Sequence, residues 1–176
     1  MAVRKVIRMG HPTLAKVAEP VANVRDKAVQ SLIQDLFDTM AELDGAGLAA
    51  PQIDVSLRVV VFGIEKNPRY PDAEPVPMTV LINPQITPLG EQQMNDWEGC
   101  LSVPGLRGMV PRYTKVRYRG FDAQGQVIER VVQGFHARVV QHECDHLDGI
   151  LYPQRMKDMR QFGFNEELAE QLEQKG

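Results

Sequence analysis

The sequence predicts an α+β fold built mainly from antiparallel sheets that pack around a central helix. Three observations predict it: a long amphipathic helix near the N-terminus, strands that precede and follow helices without a βαβ rhythm, and a second helix whose apolar face continues into histidines. With 176 residues, 43% of them hydrophobic, the chain is long enough to bury a core, and we expect one domain over residues 1–176.

The first predicted helix covers residues 24–43. Asn23 is its predicted N-cap, and Gly45 is its predicted stop. Its apolar residues recur at spacings of three and four, as one buried stripe requires: Val29, Leu32, Ile33, Leu36, Phe37, Met40 and Leu43.

Strands are predicted where β-branched and aromatic residues concentrate. These segments are residues 58–64, 78–82, 114–122 and 127–132, and the last two form a hairpin. The proline-rich residues 65–77 are predicted to be a surface loop.

The second predicted helix carries Phe135, Val139, His142 and His146 on one face, and Gly149 ends it. In the C-terminal tail, from about residue 155, a short apolar pattern predicts a peripheral helix.

Charge and composition exclude several classes of protein. The 20 basic and 23 acidic residues give a net charge of -3, which provides no overall attraction to nucleic acid or anionic lipid. No segment approaches the roughly 18 consecutive apolar residues of a membrane span, and the N-terminus lacks the apolar core of a secretory signal. Two cysteines are too few for a disulfide framework. We therefore expect a cytoplasmic protein with no membrane contact and no direct nucleic-acid site.

Residues 142–146 (HECDH) form an H-E-x-x-H pattern. Residues four apart on a helix lie about 5–6 Å apart at Cβ, so the two imidazoles can converge on one metal ion, and Glu143 can reach a water beside it. A catalytic site with an open position needs a third protein ligand. The candidates are His11, His136, Cys100 and nearby acids. A buried, packed thiol is the simpler interpretation of Cys100.

Three segments, in this order, closely resemble the motifs of peptide deformylases. They are residues 45–52 (GAGLAAPQ), 98–102 (EGCLS) and 142–146 (HECDH). Residues 10–14 and 134–146 also resemble that family, so the resemblance extends over most of the chain. It implies a metal-dependent hydrolase that removes the formyl group from the N-terminal formyl-methionine of newly made polypeptides and releases formate.

The resemblance assigns metal ligation to Cys100, His142 and His146, which makes the central helix a metal-binding helix. Fe(II) is the implied native metal, and Zn(II) or another divalent transition metal also suits one sulfur and two imidazoles. Glu143 matches the catalytic acid/base, which takes a proton from the attacking water and returns it to the departing amine.

An oxyanion forms when water attacks the formyl carbon, and it needs hydrogen-bond donors. Gln52 matches the family residue that offers its side-chain amide, and the backbone N–H of Leu101 is the expected second donor. Without the resemblance, an exposed loop glutamine is the simpler interpretation of Gln52.

Substrate binding is expected from small residues that admit the peptide as an added strand and from apolar residues that wall a methionine pocket. These residues are Gly45, Ala46, Gly47, Gly99, Phe135 and Val139. Core packing is an equal alternative for the two apolar ones.

Other residues near the motifs are interpreted as structural. Cys144 is expected to be a packed thiol turned away from the metal, and Trp97 a core residue. Arg107 and Arg112 are expected to be solvated surface residues, with contact to a substrate carboxylate as the alternative. Loop or capping roles are expected of His11 and His136.

Two other functions compete with deformylation. A zincin-like peptidase or another metal-dependent amidase would use the same helix, but zincins place their third ligand downstream, whereas Cys100 lies upstream. A non-catalytic domain with a structural metal would normally need a fourth protein ligand. The nascent-chain substrate also suggests the hypothesis that the C-terminal tail docks on the ribosome.

Overall fold

The structure is a computed structural model that describes residues 2–66, 72 and 74–175. Its helices are α1 (Lys27–Glu42), α2 (Gly134–Leu147) and α3 (Asn165–Lys175). Its strands are β1 (Gly47–Ala49), β2 (Val59–Ile64), β3 (Val76–Pro88), β4 (Gln93–Cys100), β5 (Val103–Tyr113), β6 (Lys115–Phe121), β7 (Val127–Gln133) and β8 (Phe162–Phe164).

The strands form two sheets. One has five strands in the order β1-β2-β3-β6-β7, and the other has three in the order β4-β5-β8. Every pairing between these strands in the described part of the chain is antiparallel. The predicted α+β class with antiparallel sheets is therefore confirmed.

Helix α1 packs most of the predicted apolar stripe against β1, β2 and the short 3-10 helix Ala50–Ile53, whereas Leu43, just past the helix end, is exposed. Its ends differ from the prediction. Asp26, rather than Asn23, is the N-cap, because its side chain accepts a hydrogen bond from Ala28 N at 2.9 Å. At the other end the left-handed residue is Asp44, with φ of 52°, and Gly45 follows it. The helix is accordingly shorter than predicted.

The predicted strands are present, and several strands were not predicted. Strands β2, β6 and β7 match their predicted segments, and β3 extends well beyond residues 78–82. The segment predicted as a surface loop includes residues 67–71 and 73, which lie outside the described residues. Strands β1, β4, β5 and β8 have no counterpart in the prediction.

Helix α2 contacts strands of both sheets, including β1 and β2 of the larger sheet and β5 of the smaller one. Ala137, Val140 and Leu147 on α2 are completely buried in the core that it shares with the larger sheet. The helix ends at Leu147, and Gly149 follows with φ of 72° and donates its N–H to His146 O. This packing fixes the orientation of the histidine-bearing face.

The C-terminal tail is better integrated than a peripheral helix alone. A short 3-10 helix, Tyr152–Arg155, follows α2, and β8 pairs with β5 before α3 begins. Leu168 of α3 is buried, which confirms the predicted helix around that residue, whereas the side chain of Leu172 lies outside the description. In the described part of the chain, none of the helices combines the length and the apolar character that a membrane crossing requires.

Candidate metal centre

Three potential ligand atoms meet where β4 ends beside α2. The Cys100 sulfur and one ring nitrogen from each of His142 and His146 all lie within 4.8 Å of one another. Cys100 Sγ is 3.5 Å from His146 Nε2. Residues 46 positions apart along the chain therefore converge, as the family resemblance implies.

Local backbone geometry places the two parts of this cluster. The histidines lie four residues apart on α2, and their ring centroids are 5.2 Å apart. On β4 the pairing register with β5 shifts between Glu98 and Cys100. Residues two apart on a strand project from the same face, and both side chains reach α2: Glu98 contacts His142, and Cys100 contacts His146.

Glu98 orients His142. Its Oε1 lies 2.7 Å from His142 Nδ1, and its carboxylate also accepts hydrogen bonds from Arg112 and Arg138. Burial opposes the charge, but the hydrogen bonds outweigh it, so the pKa of Glu98 lies well below its ordinary value. An ionised carboxylate only accepts hydrogen bonds, so Nδ1 carries the proton and the lone pair of a neutral His142 is on Nε2.

Glu143 lies next to this cluster. Its carboxylate is buried, Oε1 is 3.7 Å from His146 Nε2, and the described residues provide no hydrogen-bond partner for Oε1. Burial is the main cause that raises the pKa of Glu143 to about 7. Burial also holds the pKa of His146 well below its ordinary value, and the neighbouring His142 adds to this effect. His146 is thus neutral, as a metal ligand must be.

Gln52 is a buried residue rather than an exposed loop glutamine. Its Oε1 accepts a hydrogen bond from Ala49 N at 2.9 Å, which fixes the amide plane. Its Nε2 donates to Ser102 Oγ at 3.1 Å and approaches Cys100 Sγ at 3.5 Å. The amide donor therefore faces the cysteine side of the cluster.

Most of the predicted site residues line one pocket beside the cluster. Trp97, Glu98 and Arg138 also line it. The predicted residues in its wall are Gly45, Ala46, Gly47, Gln52, Gly99, Cys100, Leu101, Phe135, Val139, His142 and Glu143.

Several structural interpretations of neighbouring residues are corrected. Arg112 is buried and paired with Glu98 and Asp145 instead of being solvated. Trp97 is only partly buried and lines the pocket rather than the core. His136 lies in the first turn of α2 and is hydrogen-bonded to a tyrosine hydroxyl, so it is neither a loop nor a capping residue.

Two of the structural interpretations are confirmed. Cys144 is a buried thiol whose pKa is raised by burial. His11 caps a short 3-10 helix, because its Nδ1 accepts a hydrogen bond from Thr13 N.

Three charged residues behind the cluster were not among the predicted site residues: Arg112, Arg138 and Asp145. The helical spacing contained a usable signal for one of them, since Arg138 lies four residues before His142 and thus on the same face of α2. Arg138 donates to Glu98 Oε2 at 2.7 Å and to two strand carbonyls, Val110 O and Met94 O.

A thiol and two imidazoles that converge beside a buried carboxylate, in an α+β fold, are typical of a metal-dependent hydrolase. Residues 3–162 match the family model described as polypeptide deformylase. The chain belongs to the polypeptide deformylase family.

Similar proteins cover nearly the whole chain. Peptide deformylase 1 of Nitrosomonas europaea is 61% identical over 166 residues, which are 94% of each chain. Peptide deformylase 2 of Ralstonia nicotianae is 58% identical over 97% of this chain and 96% of its own length. A class I type b peptide deformylase of Acinetobacter baumannii, solved with Met-Ala-Ser bound, superposes with a TM-score of 0.84 at 40% identity, over 88% of this chain and 99% of its own.

Family membership confirms the predicted activity. The chain is an enzyme that removes the N-terminal formyl group from nascent peptides in a metal-dependent reaction.

Proposed function

We propose that Cys100, His142 and His146 hold the catalytic metal and that α2 is the metal-binding helix. One soft sulfur and two imidazole nitrogens, with their atoms within 4.8 Å of one another, suit a tetrahedral site that leaves one position open. A bound divalent cation supplies Lewis-acid chemistry that activates a water for attack on the formyl group. The donor set suits Fe(II) and Zn(II) alike, and the choice of Fe(II) as native metal rests on the family resemblance.

Glu143 is the general base and then the general acid. The buried, unpartnered Oε1 beside the ligand cluster is the single observation that carries this assignment. Glu143 takes a proton from the attacking water as the carbon–oxygen bond forms. It returns the proton to the amine nitrogen as the carbon–nitrogen bond breaks, which releases formate and a free N-terminus.

Gln52 and the backbone N–H of Leu101 stabilise the oxyanion. The hydrogen bond from Ala49 N to Gln52 Oε1 holds the amide before substrate arrives, so little reorganisation is needed when negative charge develops. Leu101 directly follows the cysteine ligand and lines the same pocket.

The pocket binds the first residues of a formyl-methionyl peptide. Strand β1 is an edge strand of the five-stranded sheet, so an extended peptide can add to it next to Gly45, Ala46 and Gly47. Phe135 and Val139 wall the space for the methionine side chain. The Acinetobacter baumannii relative was solved with Met-Ala-Ser, a peptide that begins with an unformylated methionine.

The chain acts as one catalytic domain in the cytoplasm, where nascent chains are made. Docking of the C-terminal tail on the ribosome is a separate hypothesis. Its test is a chain truncated before α3 (Asn165–Lys175), measured for ribosome cosedimentation beside the full chain. Equal cosedimentation of the two chains would remove the hypothesis.

Replacement of Glu143 by Gln tests the assignment. We expect the turnover number for formate release to fall by about 10²–10⁴-fold, the typical contribution of a general acid/base, while metal content stays at one ion per chain. The protein is purified anaerobically, so that metal analysis and the formate assay use the same sample. The exposed Glu129, which lies on β7 away from the pocket, gives the matched control Glu129→Gln.

The outcomes separate the competing functions. Undiminished turnover in Glu143→Gln contradicts the assigned role. Cleavage of unformylated peptides without formate release would favour the peptidase, and a metal-loaded wild-type chain that is inactive on both substrates would favour a structural metal.

A further inference from the structure

His142 is supported by a series of ion pairs that continues to the protein surface. Glu98, which accepts from His142 Nδ1, is bound by Arg112 through Nε and Nη2, each at 2.9 Å. Arg112 Nη1 donates a hydrogen bond to Asp145 Oδ2 at 2.6 Å. Arg155 completes the series by donating Nε to Asp145 Oδ2 at 3.1 Å and Nη2 to Asp145 Oδ1 at 2.9 Å. We call these four residues the ion-pair chain.

The ion-pair chain leads from solvent to the buried site. The side chain of Arg155 is 48% exposed, that of Asp145 is 11% exposed, and those of Arg112 and Glu98 are 5% exposed. Its outer three members line a second cavity, which lies on the face of α2 opposite the pocket. The two ends of the ion-pair chain therefore lie on different sides of the same helix.

The position of Asp145 indicates that Arg112 and Arg155 are needed to neutralise its carboxylate. Asp145 lies in the last turn of α2 (Gly134–Leu147), where the aligned peptide dipoles place partial negative charge. A carboxylate is unfavourable there unless cations neutralise it. The paired donors of Arg155 also fix the plane of this carboxylate, because a two-point contact between a guanidinium and a carboxylate has one preferred geometry.

The segment that carries Arg155 contacts His142 by a second route. Arg155 ends the short 3-10 helix Tyr152–Arg155, and the ring of Tyr152 stacks on the imidazole of His142 at a centroid distance of 6.1 Å and an interplanar angle of 28°. One turn of chain after α2 thus supports the ring by stacking and, through the ion-pair chain, by hydrogen bonding.

We propose that Asp145 and Arg155 are positioning residues which, through Arg112 and Glu98, hold the His142 imidazole in the orientation that presents Nε2 to the metal. This inference rests on the proposed metal site. Partners of this kind orient a ligand, and their loss typically weakens metal binding by about 10–100-fold.

The test measures how fast the loaded protein releases metal to an excess of chelator. Arg155→Gln removes the charge and the two-point contact, Arg155→Lys keeps only the charge, and Asp145→Asn breaks the link to Arg112. We expect release about tenfold faster in Asp145→Asn, about threefold faster in Arg155→Gln and an intermediate rate in Arg155→Lys. The absorption bands of the Co(II)-loaded protein, which report ligand geometry, are expected to shift in the same order.

The matched control is Arg160→Gln. Arg160 makes a similar two-point contact with Asp158, at 3.0 and 3.1 Å, but Asp158 belongs to no part of the ion-pair chain. Release from this variant should equal the wild-type rate. High salt should speed release from wild type and Arg160→Gln more than from Arg155→Gln, because it screens the exposed Arg155–Asp145 pair.

The outcomes are distinct. Wild-type release rates and an unchanged Co(II) spectrum in Arg155→Gln and Asp145→Asn, with both variants folded by circular dichroism, overturn the proposal. Equal acceleration in Arg160→Gln also overturns it, because surface charge alone would then explain the effect. A wild-type chain that takes up no metal contradicts the proposed metal site itself, which is a different failure.

Discussion

At the scale of single residues, the position of the Glu143 carboxylate depends on the absence of a side chain at Gly47. A Cβ atom at Gly47 would lie 2.7 Å from both Cγ and Cδ of Glu143, which is too close for packed carbon atoms. We predict that Gly47→Ala moves the carboxylate and lowers kcat for formate release by about 10²-fold, the cost of a displacement of about 1 Å in a catalytic group. Metal content should not change, because the three proposed ligands lie elsewhere.

The control for this prediction is Gly163→Ala. A Cβ atom at Gly163 would meet Leu168 at 3.5 Å or more, an ordinary contact, and no pocket residue is involved. Its kcat should match that of the wild type. Wild-type kcat in Gly47→Ala would show that the carboxylate tolerates displacement.

A second residue-scale feature is the polar cluster around His136. The Tyr118 hydroxyl accepts a hydrogen bond from Arg130 Nη1 at 3.0 Å and is hydrogen-bonded to His136 Nε2 at 2.9 Å. Burial, aided by the charge of Arg130, lowers the pKa of His136 to about 4. His136 is therefore neutral in the folded protein at neutral pH.

This shift predicts a pH dependence of stability. The pKa of His136 in the unfolded chain is near its ordinary value of 6.5, so the unfolded chain takes up a proton first as the pH falls. The contribution of neutral His136 to the free energy of unfolding is fully present above pH 6.5. It is lost as the pH falls toward about 4, because the unfolded chain is then protonated while the folded chain is not. In His136→Gln, urea unfolding at pH 7.5 and pH 5 should show a smaller loss of the free energy of unfolding than in the wild type. Equal losses would contradict the prediction.

Residue patterns predicted the convergence of Cys100, His142 and His146 better than they predicted the charged residues behind these three. Histidines four apart on a helix indicate a metal site from spacing alone, and the family motif pointed to Cys100. Glu98 and Asp145 lie inside the matched motifs, but no spacing pairs them with Arg112, because a buried ion pair joins residues far apart in sequence and each member looks like an ordinary solvated charge. Only tertiary packing shows which charges are buried.

At the scale of elements, the N-cap of α1 is Asp26, three residues after the predicted N-cap, Asn23. Asp26 accepts a hydrogen bond from Ala28 N, whereas Asn23 accepts one from Arg25 N, outside the helix. We predict that Asp26→Ala lowers the free energy of unfolding by about 1 kcal/mol, the usual value of an N-cap, and that Asn23→Ala has a smaller effect. Chemical denaturation of the metal-loaded protein measures both, and the reverse order would identify Asn23 as the energetically important cap.

The smaller sheet shows why some elements could not be predicted. The first four residues of β4 (Gln93–Cys100) are exposed, so the strand has no regular alternation of apolar and polar residues. Strand β5 (Val103–Tyr113) contains Pro104, Gly105 and Pro111, which usually interrupt strands. Both are held by pairing with each other, and β8 is too short for any periodicity. Strands β2 and β6 were predictable because their apolar residues are largely buried. Strand β7 was predictable from its β-branched residues, of which Ile128 and Val132 pack on the large core and Val127 and Val131 are exposed.

At the scale of the whole molecule, the proposed metal site joins the two sheets. Cys100 ends β4 of the smaller sheet, whereas His142 and His146 lie on α2, which packs on the larger one. A bound ion therefore links parts of the chain that are otherwise joined by packing and by the ion-pair chain. Because the ligand set is complete only in the folded protein, the ion binds the folded state and stabilises it.

Removal of the metal should consequently lower Tm. A free metal concentration of about 1,000 times Kd adds about 4 kcal/mol to the free energy of unfolding. Each kcal/mol corresponds to about 2–4 °C for a chain of this size, so we predict a Tm about 8–16 °C lower after chelation. Calorimetry of loaded and chelated samples measures the shift. Glu143→Gln keeps the ligands and should show the same shift, whereas Cys100→Ala should show little. A full shift in Cys100→Ala would mean that the stabilising ion binds without the cysteine, and that the link between the sheets lies elsewhere.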